Sequence, residues 1–266
     1  MIRPALLTLL LVLLGLSLTL PGSLERLGDT DLQRNAILWG IPVAALLLSL
    51  VFHPRLSWPE REEAGPLGRR LSLLAGCAVA FLADQSFLGV ARLTDLATFT
   101  FGAQELDQTE LPLTVAWTLP LCLVLGIWGW ERALRGAVYT GWRRWFPRAV
   151  AITASVIAGT ALSLPAILPG GEVRDTAFVA ASLVTVLCRE LSLALVFTRG
   201  GGLLVAGLYR GVFVFTEGVL INDWYSLHFP AFNYVAGEET FYALRAGTAL
   251  LALGVIVLVT RRGRGM

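Results

Sequence analysis

Two charged residues lie four positions apart at the end of an apolar stretch, and they are the first candidates for chemistry in this chain. The apolar run 121–130 passes directly into Glu131, and Arg135 follows one helical turn later. Residues at i and i+4 share a helix face, so the carboxylate and the guanidinium can pair. An ionisable residue at the edge of a bilayer-length segment is a candidate functional residue by default. An ion pair that anchors a helix end at the lipid headgroups explains the same spacing.

Further charges fall inside other apolar stretches, namely Asp84, Arg189, Glu190, Arg210 and Glu217. A lone charge in hydrocarbon costs a few kcal/mol or more, so these side chains are expected to face the protein interior and pair. Glu190 and Arg210 are each about ten residues from the glycine turn 200–202, which puts both roughly 12–15 Å from that turn. The sequence therefore predicts a buried Glu190–Arg210 pair. The alternative is a proton or ion path, although arginine keeps its proton at any usable pH.

The composition indicates the class of protein. Hydrophobic residues make up 56% of the chain and the mean hydropathy is +0.70, which predicts an all-α, multi-spanning membrane protein. The net charge of +2 does not indicate a nucleic-acid partner. All 21 basic residues are arginine, which excludes lysine Schiff-base chemistry. The three cysteines lie in apolar runs without CxxC spacing and are interpreted as core residues rather than metal ligands or disulfides (Cys77, Cys122 and Cys188).

Eight apolar stretches have about the length that crosses roughly 30 Å of hydrocarbon. They cover residues 4–20, 36–52, 71–91, 111–130, 149–168, 176–198, 203–221 and 242–260. The first stretch could be a signal peptide. No clear small-x-small cleavage site follows it, so an uncleaved first helix is preferred.

Arginines are concentrated on alternate connections between these stretches. They fall at Arg3, in segments 53–70 and 132–148, at Arg199 and in the tail 261–264, whereas acidic residues populate the other connections. The positive-inside rule therefore predicts both termini in the cytoplasm, with the chain in a bacterial cytoplasmic membrane. The connector 54–70 divides a leading two-helix segment (1–53) from a six-helix domain (71–266).

Two of the predicted outer loops, residues 92–110 and 222–241, are long enough to carry a short helix or a lid. The second loop is rich in aromatic residues. Such residues at the membrane surface usually form an interfacial belt. The alternative is that they dock a partner or cover a lipid-facing entrance.

The stretch around Glu131 resembles the first motif of the CPBP intramembrane proteases, the group that includes CAAX prenyl protease 2 and the Abi proteins. That motif reads Glu-Glu-x-x-x-Arg and is usually followed by glycine. Here the sequence is Trp-Glu-Arg-Ala-Leu-Arg-Gly over residues 130–136. Glu131, Arg135 and Gly136 match the motif, and Trp130 stands at the first glutamate position.

Two further motifs align by spacing but not by chemistry. The family's Phe-x-x-x-His motif before Leu-Pro aligns with Gly159 and Ser163. Its His-x-x-x-Asn motif after a glycine-containing turn aligns with Arg210 and Val214. The resemblance covers roughly residues 111–221 and implies an eight-helix fold in which glutamates and histidines activate a water, with or without a metal.

The resemblance implies a converted site, whose remnant of the catalytic set is Glu131, Arg135, Ser163 and Arg210. The only histidines, His53 and His228, are predicted on opposite sides of the membrane. An arginine at a histidine position places a fixed positive charge where a metal would bind. Arg210 is therefore predicted to pair with Glu131 or Glu190, without a metal or other cofactor.

Three functions remain open at this point. The first is a non-catalytic subunit, scaffold or chaperone that binds the lipid bilayer and a membrane-protein partner through its apolar and aromatic surface. The second is an active intramembrane endopeptidase that uses Glu131 with substituted partners such as Ser163, in which case zinc is expected. The third is a small transporter or lipid-handling protein whose polar cavity is lined by Asp84, Glu190, Arg210 and Glu217.

Overall fold

Helices account for most of the chain in the structure, a computed structural model that describes residues 2–20, 39–52, 65–95, 97–101, 110–168, 176–216, 232–236 and 239–262. The elements in chain order are α1 (Ile2–Leu18), α2 (Ile41–Phe52), α3 (Leu67–Leu93), β1 (Ala97–Phe101), α4 (Glu110–Val124), a π-helical segment (Leu125–Tyr139), α5 (Thr140–Arg143), α6 (Arg148–Ile167), α7 (Thr176–Thr198), α8 (Gly202–Phe215), β2 (Phe232–Ala236) and α9 (Glu239–Arg262).

The predicted helical membrane class agrees with the lengths and surfaces of these helices. Four helices are long and apolar enough to cross a membrane, spanning Leu67–Leu93, Arg148–Pro165, Thr176–Thr198 and Thr240–Arg261. The apolar helices α1, α2 and α8 are shorter. Large apolar side chains point outward while charged ones are buried: Leu82 is 68% exposed, whereas Glu131 and Arg135 are fully buried. This is the reverse of a soluble protein and suits a lipid environment.

The fourth predicted helical stretch was expected to end at about Trp130. That expectation is wrong, because α4, the π-helical segment and α5 follow one another without a break from Glu110 to Arg143. Most side chains after residue 125 in this helix are buried among α2, α6 and α8. The charges of Glu131 and Arg135 therefore mark the interior of the protein and not the end of a helix.

The π-helical segment is unusually long, at 15 residues. Such i→i+5 hydrogen bonding normally occurs as single turns inside α-helices, frequently at functional sites. Its contact with α8 is made between backbones. A Cβ atom on Gly126 would lie 2.5 Å from the Gly207 carbonyl oxygen, and one on Gly207 would lie 2.5 Å from Cα of Ile127. The two helices can approach this closely only because the contact residues are glycines.

The leading helices α1 and α2 pack directly onto the rest of the bundle. Leu7 and Leu11 of α1 and Ile41 of α2 share a buried apolar cluster with residues of the π-helical segment and α6, including Leu134 and Leu162. The two leading helices thus contribute to the same core as the segment that carries Glu131. Helix α3 begins at Leu67, within the last residues of the predicted connector.

The ends of several helices meet at one end of the bundle, which we call the arginine end. The guanidinium of Arg69 donates from Nε to the Arg199 carbonyl (3.2 Å) and from Nη2 to the Thr260 carbonyl (3.1 Å). These bonds join the start of α3 to the ends of α7 and α9. The rings of Tyr139 and Phe197, 5.4 Å apart, bring the end of the π-helical segment to the same place.

The two predicted outer loops pair with each other as strands. β1 and β2 form an antiparallel ladder in register from Ala97 opposite Ala236 to Phe101 opposite Phe232. The expectation of a short helix is therefore wrong for these ten residues. The alternation of threonine and phenylalanine in β1 favours a strand over a helix, because β-branched and aromatic side chains fit a pleated surface. The remaining residues of both loops lie outside the described part of the chain.

A buried ring of two glutamates and two arginines as the candidate functional site

Four charged side chains from three segments meet inside the bundle. Glu131 and Arg135 come from the π-helical segment, Glu190 from α7 and Arg210 from α8. Arg210 donates from Nε to Glu131 Oε1 (2.7 Å) and from Nη2 to both carboxylate oxygens of Glu190 (2.7 and 2.8 Å). Both glutamates and Arg135 are at most 2% exposed, and Arg210 is 6% exposed. One guanidinium thus bridges two buried carboxylates.

Arg135 closes these contacts into a ring. Its Nη2 donates to Glu190 Oε2 (2.9 Å) and to the backbone carbonyl of Glu190 (2.7 Å). Its Nε lies 3.5 Å from Glu131 Oε2. The ring alternates carboxylate and guanidinium, and its two negative and two positive charges cancel. Buried charges are tolerated when they are paired in this way.

The contacts that the sequence predicted within this ring are present. Glu190 and Arg210 face each other across the α7–α8 hairpin, as their similar distances from the glycine turn predicted. Glu131 and Arg135 approach each other as an i, i+4 ion pair. The sequence left open whether Arg210 pairs with Glu131 or with Glu190, and the structure shows that it pairs with both.

Two uncharged residues shape the ring. The guanidinium carbon of Arg210 lies 5.0 Å from the ring centroid of Trp130, within cation–π distance. Gly159 of α6 lies against the carboxylate of Glu190, so that a Cβ atom there would be 2.5 Å from Glu190 Cδ. Both residues therefore serve the ion pairs: Trp130 stacks on the guanidinium of Arg210, and Gly159 leaves room for the carboxylate of Glu190.

Ser163 does not join the ring through its described contacts. Its hydroxyl donates to the Gly159 carbonyl one turn earlier in the same helix (3.0 Å). This back-bond is common for serine inside helices, because the i−4 carbonyl is within reach. Val214, which the sequence resemblance aligned with an asparagine, packs beside Cys122 and Phe215. The described contacts of the ring are therefore made by Glu131, Glu190 and the two arginines.

Asp84 forms a second buried ion pair outside the ring. Arg189 donates from Nη2 to Asp84 Oδ2 (2.7 Å), and the amide of Gln85 donates to the same oxygen (3.1 Å). The guanidinium carbon of Arg189 lies 4.4 Å from the ring centroid of Phe213. The sequence grouped Asp84 with Glu190 and Arg210, whereas the structure gives it a different partner. Glu217, the last member of that predicted network, lies outside the described residues.

The sequence interpretation missed Arg245. This side chain is 1% exposed in α9, and its guanidinium carbon lies 5.7 Å from the ring centroid of Phe87. It stands three residues into the last predicted stretch, beside an acidic loop, and was not counted among the charges inside spans. Its position within an apolar run of bilayer length was the available signal.

The donor set of the ring does not fit a metal ion. Within the described residues, no three histidine, cysteine, aspartate or glutamate side chains come together to form a metal site. Glu131 Oε1 and both oxygens of Glu190 already accept hydrogen bonds from guanidinium groups. Two fixed positive charges beside these carboxylates also oppose cation binding. His53 and His228 lie outside the described residues.

Comparison of the chain with protein-family models, with curated proteins and with solved structures finds no match.

Proposed function

We propose that this chain is a non-catalytic integral membrane protein with a CPBP-like fold, acting as a subunit, scaffold or chaperone for another membrane protein. In this proposal eight helices cross a bacterial cytoplasmic membrane, with both termini and the arginine end on the cytoplasmic side. The former catalytic position is a structural ion-pair ring that holds the π-helical segment, α7 and α8 together. The chain acts through the outer surface of the helix bundle, which binds the other membrane protein.

The observation that carries this proposal is the double contact of Arg210. A general base needs a carboxylate oxygen that can reach a water and take its proton. Arg210 donates to Glu131 Oε1 at 2.7 Å, while Arg135 lies beside Oε2 at 3.5 Å. Glu131 is fully buried, and its Oε1 already accepts a hydrogen bond from Arg210, so the carboxylate is poorly placed to reach a water.

The first experiment asks whether the chain has proteolytic activity or metal. Full-length protein purified in mild detergent is analysed for metal content and incubated with zinc and prenylated CAAX-type peptides. We expect no bound zinc and no cleavage. About one zinc per chain, together with cleavage that Glu131→Gln abolishes, would contradict the proposal and favour an intramembrane protease.

The second experiment tests the scaffold role in the native membrane. The tagged chain is isolated in mild detergent, and co-eluting proteins are identified and quantified by mass spectrometry. We expect one membrane protein at fixed stoichiometry, whose abundance falls when the chain is deleted. The double variant Glu131→Gln/Arg210→Gln removes the carboxylate and the cation together and should restore that abundance. A folded double variant that fails to restore it would contradict the non-catalytic role.

A further inference from the structure

A basic and aromatic turn joins α5 to α6. Arg143, Arg144 and Trp145 are three consecutive exposed residues of this connection, and Trp145 is 61% exposed. The turn follows the end of the π-helical segment, which the contact between Tyr139 and Phe197 places at the arginine end. These three side chains belong to neither the buried ring nor the second ion pair, so they need an explanation of their own.

The turn has a fixed shape. The backbone N–H groups of Trp145 and Phe146 both donate to the Trp142 carbonyl, at 3.0 Å each. The rings of Trp142 and Phe146 lie 5.1 Å apart. Pro147 occupies the N-cap position of α6, where its ring fixes the backbone φ angle. The three exposed side chains are therefore held at the surface by an ordered backbone.

Helix α1 brings a third exposed arginine to this turn. Trp142 donates from Nε1 to Thr8 Oγ1 (3.0 Å). A Cβ atom on Gly141 would lie 2.6 Å from Cβ of Pro4. These contacts place the first turn of α1, and with it the exposed Arg3, beside the connection between α5 and α6. Two distant parts of the chain thus form one surface, which we call the basic patch (Arg3, Arg143, Arg144 and Trp145).

The charge of the basic patch favours an anionic ligand. Its three arginines form no ion pair with any residue in the described part of the chain. The planar guanidinium group presents several donors in a fork that matches phosphate oxygens. Positive charges that lie near one another repel, and an anion bound among them offsets this repulsion.

Trp145 favours a lipid over a soluble anion. Its indole ring has a large apolar body and one polar N–H group, and tryptophan is enriched where membrane and water meet. Trp145 stands three residues before Arg148–Pro165, one of the helices that are long and apolar enough to cross a membrane. Headgroup phosphates and the first carbons of the acyl chains lie at this level of a membrane. A phospholipid therefore matches both the arginines and the indole.

We propose that the basic patch binds the headgroups of anionic phospholipids, with its three arginines contacting phosphate groups and with Trp145 at the level of the glycerol backbone. Basic clusters next to membrane helices recognise anionic headgroups through the same chemistry. This proposal rests on the membrane placement proposed above, and it is independent of whether Glu131 is catalytic. Its test needs neither the partner nor the metal content.

The experiment measures lipid binding to the full chain. Protein in dodecyl maltoside is titrated with phosphatidylglycerol or phosphatidylcholine, and bound lipids are counted by native mass spectrometry. Wild type is expected to bind phosphatidylglycerol in preference to phosphatidylcholine. Arg143→Gln/Arg144→Gln should weaken phosphatidylglycerol binding about thirtyfold, or about 2 kcal/mol at about 1.4 kcal/mol per factor of ten, because each arginine near a membrane surface contributes about half of that. Phosphatidylcholine binding should not change.

Single variants test whether the patch is assembled from both parts of the chain. Arg3→Gln should weaken phosphatidylglycerol binding about fivefold although this residue lies in α1. If the double variant is not monodisperse, Arg144→Gln is used instead, and about a fivefold loss is expected. Unchanged phosphatidylglycerol binding in the variants of Arg143 and Arg144 would overturn the proposal.

A matched control separates the basic patch from general surface charge. Arg92→Gln/Arg261→Gln removes the same charge from two exposed arginines outside the patch and should leave the binding of both lipids unchanged. Equal weakening of phosphatidylglycerol binding in the two double variants would show that net charge and not the patch attracts the lipid, which would overturn the proposal.

Two further measurements distinguish a lipid from a free phosphate compound. Trp145→Ala should weaken the binding of both lipids by the same factor, because the indole contacts the part that the two lipids share. Glycerol phosphate presents the anionic group without acyl chains, so it should not displace phosphatidylglycerol at millimolar concentration. Displacement at that concentration, or a silent Trp145→Ala, would overturn the lipid assignment.

The outcomes also separate this proposal from the proposed function. Equal binding of the two lipids by wild type would overturn the assignment of the patch and leave the membrane placement intact, whereas binding of neither lipid would contradict both. If Arg143→Gln/Arg144→Gln keeps the lipid preference but no longer co-purifies with the membrane protein that wild type holds, the patch binds a protein, and the lipid assignment is wrong.

Discussion

Arg210 is the residue on which the buried ring depends most, because it alone contacts both glutamates through short hydrogen bonds. Removing one partner of a buried ion pair leaves an uncompensated charge, at a cost of roughly 3–5 kcal/mol. We therefore expect Arg210→Ala to lower the yield of folded protein severely. Fluorescence-detected size-exclusion chromatography of the solubilised membranes measures this yield directly.

The geometry of the ring also predicts which second substitution restores folding. Glu131→Ala in the Arg210→Ala background leaves Arg135 paired with Glu190 at 2.9 Å. Glu190→Ala in the same background leaves Arg135 only its 3.5 Å contact with Glu131. Both double variants are neutral, so the difference reports geometry and not net charge. We expect better recovery with Glu131→Ala. Equal recovery would contradict the predicted difference between the two glutamates, and a silent Arg210→Ala would show that the ring does not stabilise the fold.

Gly159 is predicted to be intolerant of any side chain because of its contact with Glu190. A Cβ atom there would overlap the Glu190 carboxylate, which is fixed by both arginines. Gly159→Ala should lower the melting temperature in detergent, and Glu190→Asp should partly relieve the loss by withdrawing the carboxylate. The coupling is measured as a double-mutant cycle. Gly89→Ala is the control, since a Cβ atom there meets nothing within 4 Å.

The sequence predicted individual ion pairs better than it predicted their connection. Depth along a helical hairpin can be counted from the turn, and this is enough to bring Glu190 opposite Arg210. The rotation of each helix about its own axis cannot be obtained from the number of residues to the turn. The bridging of two carboxylates by Arg210 and the separate pairing of Asp84 with Arg189 both depend on that rotation. This rotation is decided by the packing of glycines and large side chains between the helices.

At the scale of elements, the crossing of α8 with the π-helical segment and α4 positions Arg210. Gly211 lies against the backbone of α4, where a Cβ atom would be 2.7 Å from Cα of Leu123 and 2.8 Å from the Cys122 carbonyl oxygen. A backbone cannot move aside as a flexible side chain can. Overpacking of a well-packed core costs typically about 1–3 kcal/mol.

We therefore expect Gly211→Ala to lower the free energy of unfolding by about 1–3 kcal/mol, measured by thermal or denaturant unfolding in detergent. Gly247→Ala in α9 is the matched control, because a Cβ atom there meets nothing within 4 Å. Alanine favours a helix over glycine by about 0.5–1 kcal/mol, so the control should be neutral or stabilising. A loss of the same size in both variants would contradict the close crossing.

Helix positions were largely predictable from the sequence, whereas one boundary and the strands were not. The predicted stretch 176–198 coincides with α7 because apolar length alone defines it. The stretch expected to end at Trp130 continues to Arg143, and the charges of Glu131 and Arg135 are paired inside the protein. β1 and β2 are 131 positions apart in the chain at their closest, between Phe101 and Phe232, and local pattern carries no information about such distant pairing.

Across the described part of the whole bundle, Arg69, Arg199 and the end of α9 lie at one end, and the β1–β2 sheet is attached to the other ends of α3 and α9. This arrangement suits the alternation of charge that the positive-inside rule uses. The leading helices share the core of the π-helical segment and α6, so the predicted two-helix segment is built into the bundle. The sequence could not predict this, because apolar helix faces alone do not specify their partners.

The predicted orientation of the bundle is testable with single cysteines placed at its two ends. Thr94, just after α3, and Arg144, just after α5, are both exposed. The three native cysteines are buried and give little background. In intact cells a membrane-impermeant maleimide should label Thr94→Cys, whereas Arg144→Cys should react only after permeabilisation. The reverse pattern would invert the proposed topology. Labelling of both sites from outside would mean that the described helices between them do not separate two sides of a membrane.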